Sequence, residues 1–387
     1  MRITQKTIAR DLGVSLMTVS RTLNNSGYVS KELRKRILDY AEKRGYEPQR
    51  ASQVLVRNTM RTIAVFTSAM PEYFWDDIKK GVLQAAEHIK FFNYTVHYHR
   101  IPDFDTRKYC ALLSREIKNG LDAAAFVYQD IFDMGRIIGM AEKANLPYLL
   151  FNVDAPGTGR ACYIGADYRS GGRLAANFIG KALEQKKAGR ALVISFIRED
   201  ADSPAMRSSP GTSAEVRQNR GSPPDINAER LKGFLSVMKA RFPGIPCAVE
   251  YVNAKYDVER QIMRILKTYR TKTDAVYFIP AYNDVFHRAL ERYNYRGLLT
   301  LQHDIDDSAL RCLESDLLTA VIFQDPILQG YTVVQTMENI IESKNPGRRR
   351  DIEIAHNLVF RENINFLQNH YLTPPEQADY TRAVRPG

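Results

Sequence analysis

Cysteine is scarce in this chain, and its four positions lie far apart: Cys110, Cys162, Cys247 and Cys312. Their spacing matches no cysteine-based metal motif, and a disulfide framework would need a higher density of cysteine. The sequence therefore predicts a reduced, cytoplasmic protein, for which we expect no cofactor and no metal site.

Long apolar runs are also missing. No stretch approaches the roughly 18 apolar residues of a membrane span, and the polar start MRITQK lacks the apolar run of a secretory signal. We therefore expect no membrane partner.

Acidic residues are sparse near the N-terminus. Residues 1–60 hold 12 Lys/Arg against 5 Asp/Glu, so most of the formal net charge of +11 belongs to this segment. A basic head on a nearly neutral body predicts a local polyanion-binding surface, for which double-stranded DNA is the usual partner. The alternative, a basic solvated tail, conflicts with the apolar periodicity of residues 3–41.

Residues 1–47 are predicted to form an all-α head of three helices. Thr4 and Ser15 are good N-caps, Gly13 supplies the turn between the first two helices, and a third helix begins at Ser30. A helix-turn-helix places the N-terminal end of its second helix in the DNA major groove. We therefore assign major-groove contacts to Thr4, Ser15, Leu16, Met17, Ser20, Arg21 and Asn24.

A plain three-helix bundle with a solvated basic face is the alternative for this head. The DNA interpretation gives Arg21 a defined role, because a guanidinium can donate two hydrogen bonds to a guanine. Leu16 and Met17 are apolar and suit thymine methyl groups or groove shape.

Residues 48–60 are predicted to form a hinge. Pro48 ends the third helix, and the segment after it allows only about two helical turns, which are marginal in isolation. Leu55 is a candidate apolar wedge for the minor groove, with Ser52 and Gln53 beside it. The alternative for Leu55 is an ordinary contact between helices.

Three motifs in the head and hinge resemble the lactose-repressor (LacI) family of bacterial transcription regulators. They are GVS..TVSR.LN at residues 13–24, VS...R..I at 29–37 and GY.P at 45–48. The resemblance implies that Leu16 and Met17 set operator preference, that Arg21 reads a guanine, and that Leu55 enters the central minor-groove step. It continues weakly to about residue 367.

The body, residues 61–367, alternates short apolar runs with amphipathic stretches, which predicts βαβ units and two α/β lobes. Strands are predicted at 62–67, 94–99, 123–128, 148–152, 190–196, 248–252, 275–279 and 320–323.

The resemblance implies a periplasmic-binding-protein-like arrangement of these lobes. The N-lobe would hold about 61–165 and 325–347, and the C-lobe about 166–323 and 351–367. The chain would cross between them near 164–167, 323–326 and 346–352. The polar segments 198–226 and 368–387 are predicted to be disordered.

The cleft between the lobes is the expected effector site. Sugar-type ligands need aromatic walls for their ring faces and fixed polar partners for their hydroxyls. Residues of both kinds stand near predicted strand ends and match the family's ligand-contact motifs: Phe74, Trp75, Asp130, Arg230, Tyr256, Asn283, Asp304 and Gln324. Each has a plainer alternative as a core aromatic, a helix cap or a surface ion-pair former.

The sequence thus predicts a homodimeric transcriptional regulator, most simply a repressor of carbohydrate genes under the control of a sugar-type effector. A nucleobase- or nucleoside-responsive regulator and a non-regulatory solute-binding protein are the alternatives. An enzyme using Asp304 and Asp306 is a further one, but no nucleophilic triad, phosphate loop or metal motif in the sequence supports it.

Overall fold

The computed structural model describes residues 3–23, 29–44, 60–101, 105–186, 189–197, 225–343 and 349–364. The chain divides into two compact units, Met1–Thr59 and Met60–Gly387. Among the helices in these ranges, none is long and apolar enough to cross a membrane. Residues 48–59 of the predicted hinge and the predicted disordered tail, 368–387, lie outside the described residues.

The described residues of the smaller unit form three helices: α1 (Gln5–Leu12), α2 (Leu16–Leu23) and α3 (Lys31–Lys43). Apolar residues that recur three or four positions apart bring one face of each helix inward. The resulting core consists of Ile8, Ala9, Val19, Ile37 and Ala41. The three predicted helices of the head are confirmed.

The larger unit contains two six-stranded sheets. Five strands of the first sheet and the helices between them follow one another along the chain. They are β1 (Arg61–Ser68), α4 (Glu72–Ile89), β2 (Tyr94–Ile101), α5 (Thr106–Lys118), β3 (Ala123–Phe126), α6 (Met134–Lys143), β4 (Tyr148–Phe151) and β5 (Tyr163–Gly165). A 3-10 turn, Lys90–Phe92, follows α4.

The chain then builds the second sheet. Its elements are α7 (Tyr168–Leu183), β6 (Ala191–Ile197), α8 (Ile226–Arg241), β7 (Cys247–Asn253), α9 (Val258–Tyr269), β8 (Ala275–Phe278), α10 (Asn283–Arg292), β9 (Leu299–His303), α11 (Asp307–Glu314) and β10 (Ala320–Phe323). The closing elements are α12 (Pro326–Glu342), β11 (Ile352–Glu353), β12 (Asn357–Val359) and a 3-10 turn, Arg361–Asn363.

The strand order is β11-β5-β4-β3-β1-β2 in the first sheet and β12-β10-β9-β8-β6-β7 in the second. All pairings are parallel except that of β10 with β12. Central strands such as AAAF in β3 and YLLF in β4 are buried throughout, as expected for a parallel sheet covered on both faces. The α/β fold class with two lobes is confirmed.

The chain passes between the two sheets three times: between β5 and β6, after β10, and between β11 and β12. The third crossing corrects the predicted boundary at 346–352, because Ile352 and Glu353 still pair with Ile164 and Gly165 in the first sheet. Arg160 fixes this segment through an ion pair with Asp351 at 2.6 Å. A two-residue strand has too little pattern to be recognised in sequence.

Residues 198–224 of the predicted disordered loop lie outside the described residues. The predicted end of that loop at residue 226 is wrong, since Asp225 caps helix α8 and Ile226 begins it. The Asp225 carboxylate accepts hydrogen bonds from the amides of Asn227 and Ala228. An Asp at a helix N-cap is a strong starting signal that the polar loop composition obscures.

Candidate functional site

Two capped turns set the geometry of the smaller unit. The Thr4 hydroxyl accepts a hydrogen bond from the Thr7 amide, and the Ser15 hydroxyl accepts one from the Thr18 amide at 3.0 Å. Gly13 has φ 66°, a left-handed conformation that glycine adopts without steric cost. Helix α2 therefore begins directly after the Ser15 cap, in the layout of a helix-turn-helix.

The exposed face of α2 carries apolar side chains that the small core does not use. Leu16 is 50% exposed and Met17 is 62% exposed, and the Arg21 side chain on the same helix is also exposed. Apolar groups and a guanidinium on one open helix face suit contact with base edges. The predicted contacts that lie outside the described residues are the Ser20 side chain, Asn24 and the hinge residues Ser52, Gln53 and Leu55.

In the larger unit, polar side chains converge where strands of the second sheet end. Asp304 directly follows β9, Gln324 directly follows β10, and Asn283 is the first residue of the helix after β8. Carboxyl ends of neighbouring parallel strands meet at one edge of a sheet, which is where ligands bind in open α/β folds.

Contacts join these residues into one cluster with Arg230 of α8. The Gln324 amide donates to Asp304 Oδ1 at 2.8 Å, and the Arg230 guanidinium lies 3.9 Å from Asp304 Oδ2. The Asn283 amide donates to the His303 carbonyl at 3.3 Å. The structure therefore brings together Arg230, Asn283, Asp304 and Gln324, four of the eight residues predicted for the effector site.

Tyr73 adds a group from the first lobe that the sequence analysis misses. The Asn283 amide also donates to the Tyr73 hydroxyl at 3.3 Å, so one side chain links α10 to α4 across the two lobes. Burial raises the pKa of Tyr73, and the nearby Asp304 carboxylate raises it further. The hydroxyl is therefore a neutral hydrogen-bonding group at physiological pH.

Phe74 and Trp75 lie in a different environment from the one predicted. Both rings are buried in the apolar cluster of the first lobe, where they pack edge-to-face at 5.1 Å. The Trp75 indole donates to the Met70 carbonyl at 2.9 Å. These contacts give both rings a packing role, and their role as cleft walls stays a prediction.

The contacts described above do not connect Asp130 or Tyr256 to this cluster. Asp130 is half-buried on the loop after β3, and Tyr256 is 68% exposed in the turn after β7. Asp306, considered above as a catalytic partner of Asp304, instead caps α11 by accepting a hydrogen bond from the Ala309 amide at 2.7 Å.

The electrostatics of the cluster reflect its burial. Burial raises the pKa of Asp304, while the Arg230 charge opposes that rise. Burial and the nearby Arg230 charge together lower the pKa of His356 to about 4. Burial likewise lowers the pKa of His303, which keeps both imidazoles neutral.

Several polar atoms of the cluster are buried without a hydrogen-bond partner among the described residues: Arg230 Nε, Asn283 Oδ1, His303 Nδ1 and Gln324 Oε1. An unsatisfied buried polar group costs about 1–3 kcal/mol. The cluster therefore has unused donors and acceptors, as expected of a site that receives a polar molecule.

A cavity of about 740 Å³ lies beside this cluster, between α4 and α11. Its volume falls in the range of small-molecule sites. Both lobes line it, with Tyr73, Asp76, Asp77, Lys80, Gln84 and Ile327 from the first and Ile305, Asp306, Asp307, Ser308, Leu310, Arg311, Phe323 and Ile364 from the second.

Comparison with known proteins relates both units to described families. Residues 4–49 match the model "Bacterial regulatory proteins, lacI family", and residues 63–345 match "Periplasmic binding protein domain". The second match covers well over half of the chain.

Among curated relatives, the HTH-type transcriptional regulator GalS of Salmonella typhimurium is 31% identical over 181 residues, which cover 46% of this chain and 50% of that protein. The probable HTH-type transcriptional repressor ExuR of Bacillus subtilis is 31% identical over 156 residues, which cover 39% of this chain and 44% of that protein. The matched regions thus span about half the length of these relatives.

A solved structure of a putative LacI transcriptional regulator from Bacteroides fragilis has a TM-score of 0.64 at 15% identity, and the match covers 80% of this chain and 99% of that one. This likeness shows the fold of the body. The chain therefore combines a lacI-family head, residues 4–49, with a body that belongs to the periplasmic binding protein domain family, residues 63–345.

Proposed function

We propose that this chain is a sequence-specific DNA-binding regulator whose body binds a small polyhydroxylated effector, most simply a sugar. The head reads the major groove through α2, and the hinge residues 52–55 act at the minor groove. The observation that carries the proposal is the exposed face of α2, where Leu16, Met17 and Arg21 stand on a helix fixed by the Gly13 turn.

The chemistry of the cleft supports a neutral ligand rich in hydroxyl groups. Asp304 is an acceptor, Arg230 is a donor, and the side-chain amides of Asn283 and Gln324 offer both functions. A sugar presents adjacent hydroxyls that donate and accept, so it could satisfy the buried atoms that lack partners.

The two lobes give the ligand a means of control. A molecule that binds both Tyr73 and the Asp304 side of the cleft favours one arrangement of the lobes, and an equilibrium shifts only as far as the ligand distinguishes its two states. We propose that a homodimer converts this shift into altered operator affinity, since two heads match the two half-sites of a pseudo-palindrome.

Selection of binding sites from random duplexes with the full chain tests the DNA-binding role. We expect a preferred operator, and Arg21→Ala should cost roughly 1–3 kcal/mol of affinity while relaxing the preference at one base pair. Arg264→Ala removes an equal charge from an exposed position of α9 and serves as the control. Unchanged discrimination by the Arg21 variant would contradict the assigned role.

A thermal-shift screen against sugars and nucleosides tests the effector. A binder raises the apparent stability by mass action, and Asp304→Asn should remove that response without loss of operator binding. Asp316→Asn is a matched control. Asp316 and Asp304 both have positive φ, but Asp316 pairs with Arg361 at the surface. A response to nucleosides alone would replace the sugar assignment.

A further inference from the structure

A second polar cluster lies in the first lobe, apart from the residues that form the cleft cluster. His97 and His99 stand two positions apart on the edge strand β2, so both side chains project from the same face of the sheet. Glu116 of helix α5 lies against them, with Oε2 at 2.7 Å from His97 Nδ1 and Oε1 at 3.2 Å from His99 Nε2.

The environment of Glu116 is unusual for a carboxylate. Glu116 is only 5% exposed. In the described part of the chain, these two imidazoles are the groups that lie within ion-pair distance of its carboxylate. A buried carboxylate is costly unless a positive charge compensates it. An imidazole supplies that charge only when it is protonated.

His99 offers a ring nitrogen to this cluster. Its Nε2 atom is buried and has no hydrogen-bond partner in the described residues, and it lies 3.2 Å from Oε1 of Glu116.

We propose that His97, His99 and Glu116 bind a divalent transition-metal ion, for which Zn²⁺ is the best match. Their three ligand atoms lie within 4.8 Å of one another. Among the His, Cys, Asp and Glu side chains of the described residues, this group of three meets that spacing. Two imidazole nitrogens and one carboxylate oxygen form a ligand set that Zn²⁺ accepts. Sequence spacing alone predicts no metal site, because the histidines and Glu116 meet only in the fold.

The two contacts between the histidines and Glu116 need only a small adjustment to fit zinc. Tetrahedral ligands at about 2.0–2.1 Å from zinc lie roughly 3.3 Å from one another, so the His97–Glu116 pair must separate by about half an ångström. The His97 side chain is half-exposed, which provides an entry path. A fourth position stays open for water.

The bound ion would hold the edge strand β2 to helix α5. Neither histidine belongs to the cleft cluster, so this site is independent of the proposed effector. Metal that binds the folded chain and not the unfolded chain stabilises it by mass action.

The test uses the full chain without a polyhistidine tag, stripped of metal and titrated with Zn²⁺ by calorimetry. We expect one equivalent to bind and the unfolding temperature to rise. His99→Ala should weaken binding by roughly tenfold or more. His88→Ala is the control, because His88 is an exposed histidine of α4 whose ring contacts Tyr331 instead.

Co²⁺ provides a spectroscopic check that a folding defect cannot imitate. The parent chain should give the visible bands of a low-coordinate nitrogen and oxygen site, and His97→Ala, at the more exposed ligand, should lose them while keeping its circular dichroism. Equal Zn²⁺ binding by parent and His99→Ala, no binding by the parent, or a thiolate-to-cobalt charge-transfer band would each overturn the proposal.

Discussion

At the scale of single residues, Tyr73 joins the lobes through its hydroxyl, while its side chain packs against the apolar cluster of the first lobe. We expect Tyr73→Phe to weaken effector binding by about 0.5–1.5 kcal/mol, since it removes one hydrogen-bond acceptor of the Asn283 amide. Calorimetric titration with the effector found in the screen measures this loss. Operator affinity without effector should not change.

Trp75→Phe is the contrasting variant, two residues along the same helix. It removes the hydrogen bond to the Met70 carbonyl inside the first-lobe core, so it should lower the free energy of unfolding and leave effector affinity intact. The opposite pattern, with effector affinity lost in the Trp75 variant and kept in the Tyr73 variant, would show that Trp75 and not Tyr73 contributes to effector binding.

The contrast between these residues explains which parts of the site could be predicted. Asp304 and Gln324 directly follow strands, and the strand-end rule therefore locates them from sequence. Tyr73, Phe74 and Trp75 are consecutive on a helix, where each step rotates the side chain by about 100°. Only the packing of α4 decides which of the three reaches the cleft.

At the scale of secondary-structure elements, close helix pairs depend on glycine. A Cβ on Gly81 of α4 would overlap the Ile327 carbonyl oxygen at the start of α12, and the obstacle is backbone that cannot rotate away. We expect Gly81→Ala to destabilise the body by about 1–3 kcal/mol, as overpacking does in cores. Urea unfolding followed by circular dichroism measures the change.

Gly139→Ala is the matched control, because Gly139 is also helical but a Cβ there would have no heavy atom within 4 Å. This variant should stabilise α6 by up to about 1 kcal/mol, the helix-propensity difference between glycine and alanine. Similar losses in both variants would mean that helix-pair packing is not the cause.

Strand prediction also follows identifiable physics. Long apolar strands such as β1 and β6 lie within one or two residues of their predicted bounds. Strand β9, LTLQH, escapes prediction because it buries polar side chains, which have partners that only the fold supplies. Thr300 donates to the Leu317 carbonyl, and the Gln302 and His303 side chains bond to those of His287 and Tyr277.

At the scale of the whole molecule, buried histidines predict a stability that falls in mild acid. Burial lowers the pKa of His287, His303 and His356, the last to about 4, whereas the unfolded chain titrates them near 6.5. Below pH 6.5 the unfolded state therefore binds more protons than the folded state, so the free energy of unfolding falls as pH falls.

Each fully shifted imidazole contributes about 1.4 kcal/mol per pH unit to this slope. The raised pKa of Asp304 acts with the opposite sign, because its protonated form favours the folded state, but this is one group against three imidazoles. Urea unfolding at several pH values between 7 and 5 measures the slope. His356→Gln should flatten this slope, whereas His88→Gln, at an exposed position, serves as the control. A parent chain that is equally stable at both ends of this pH range would contradict the prediction.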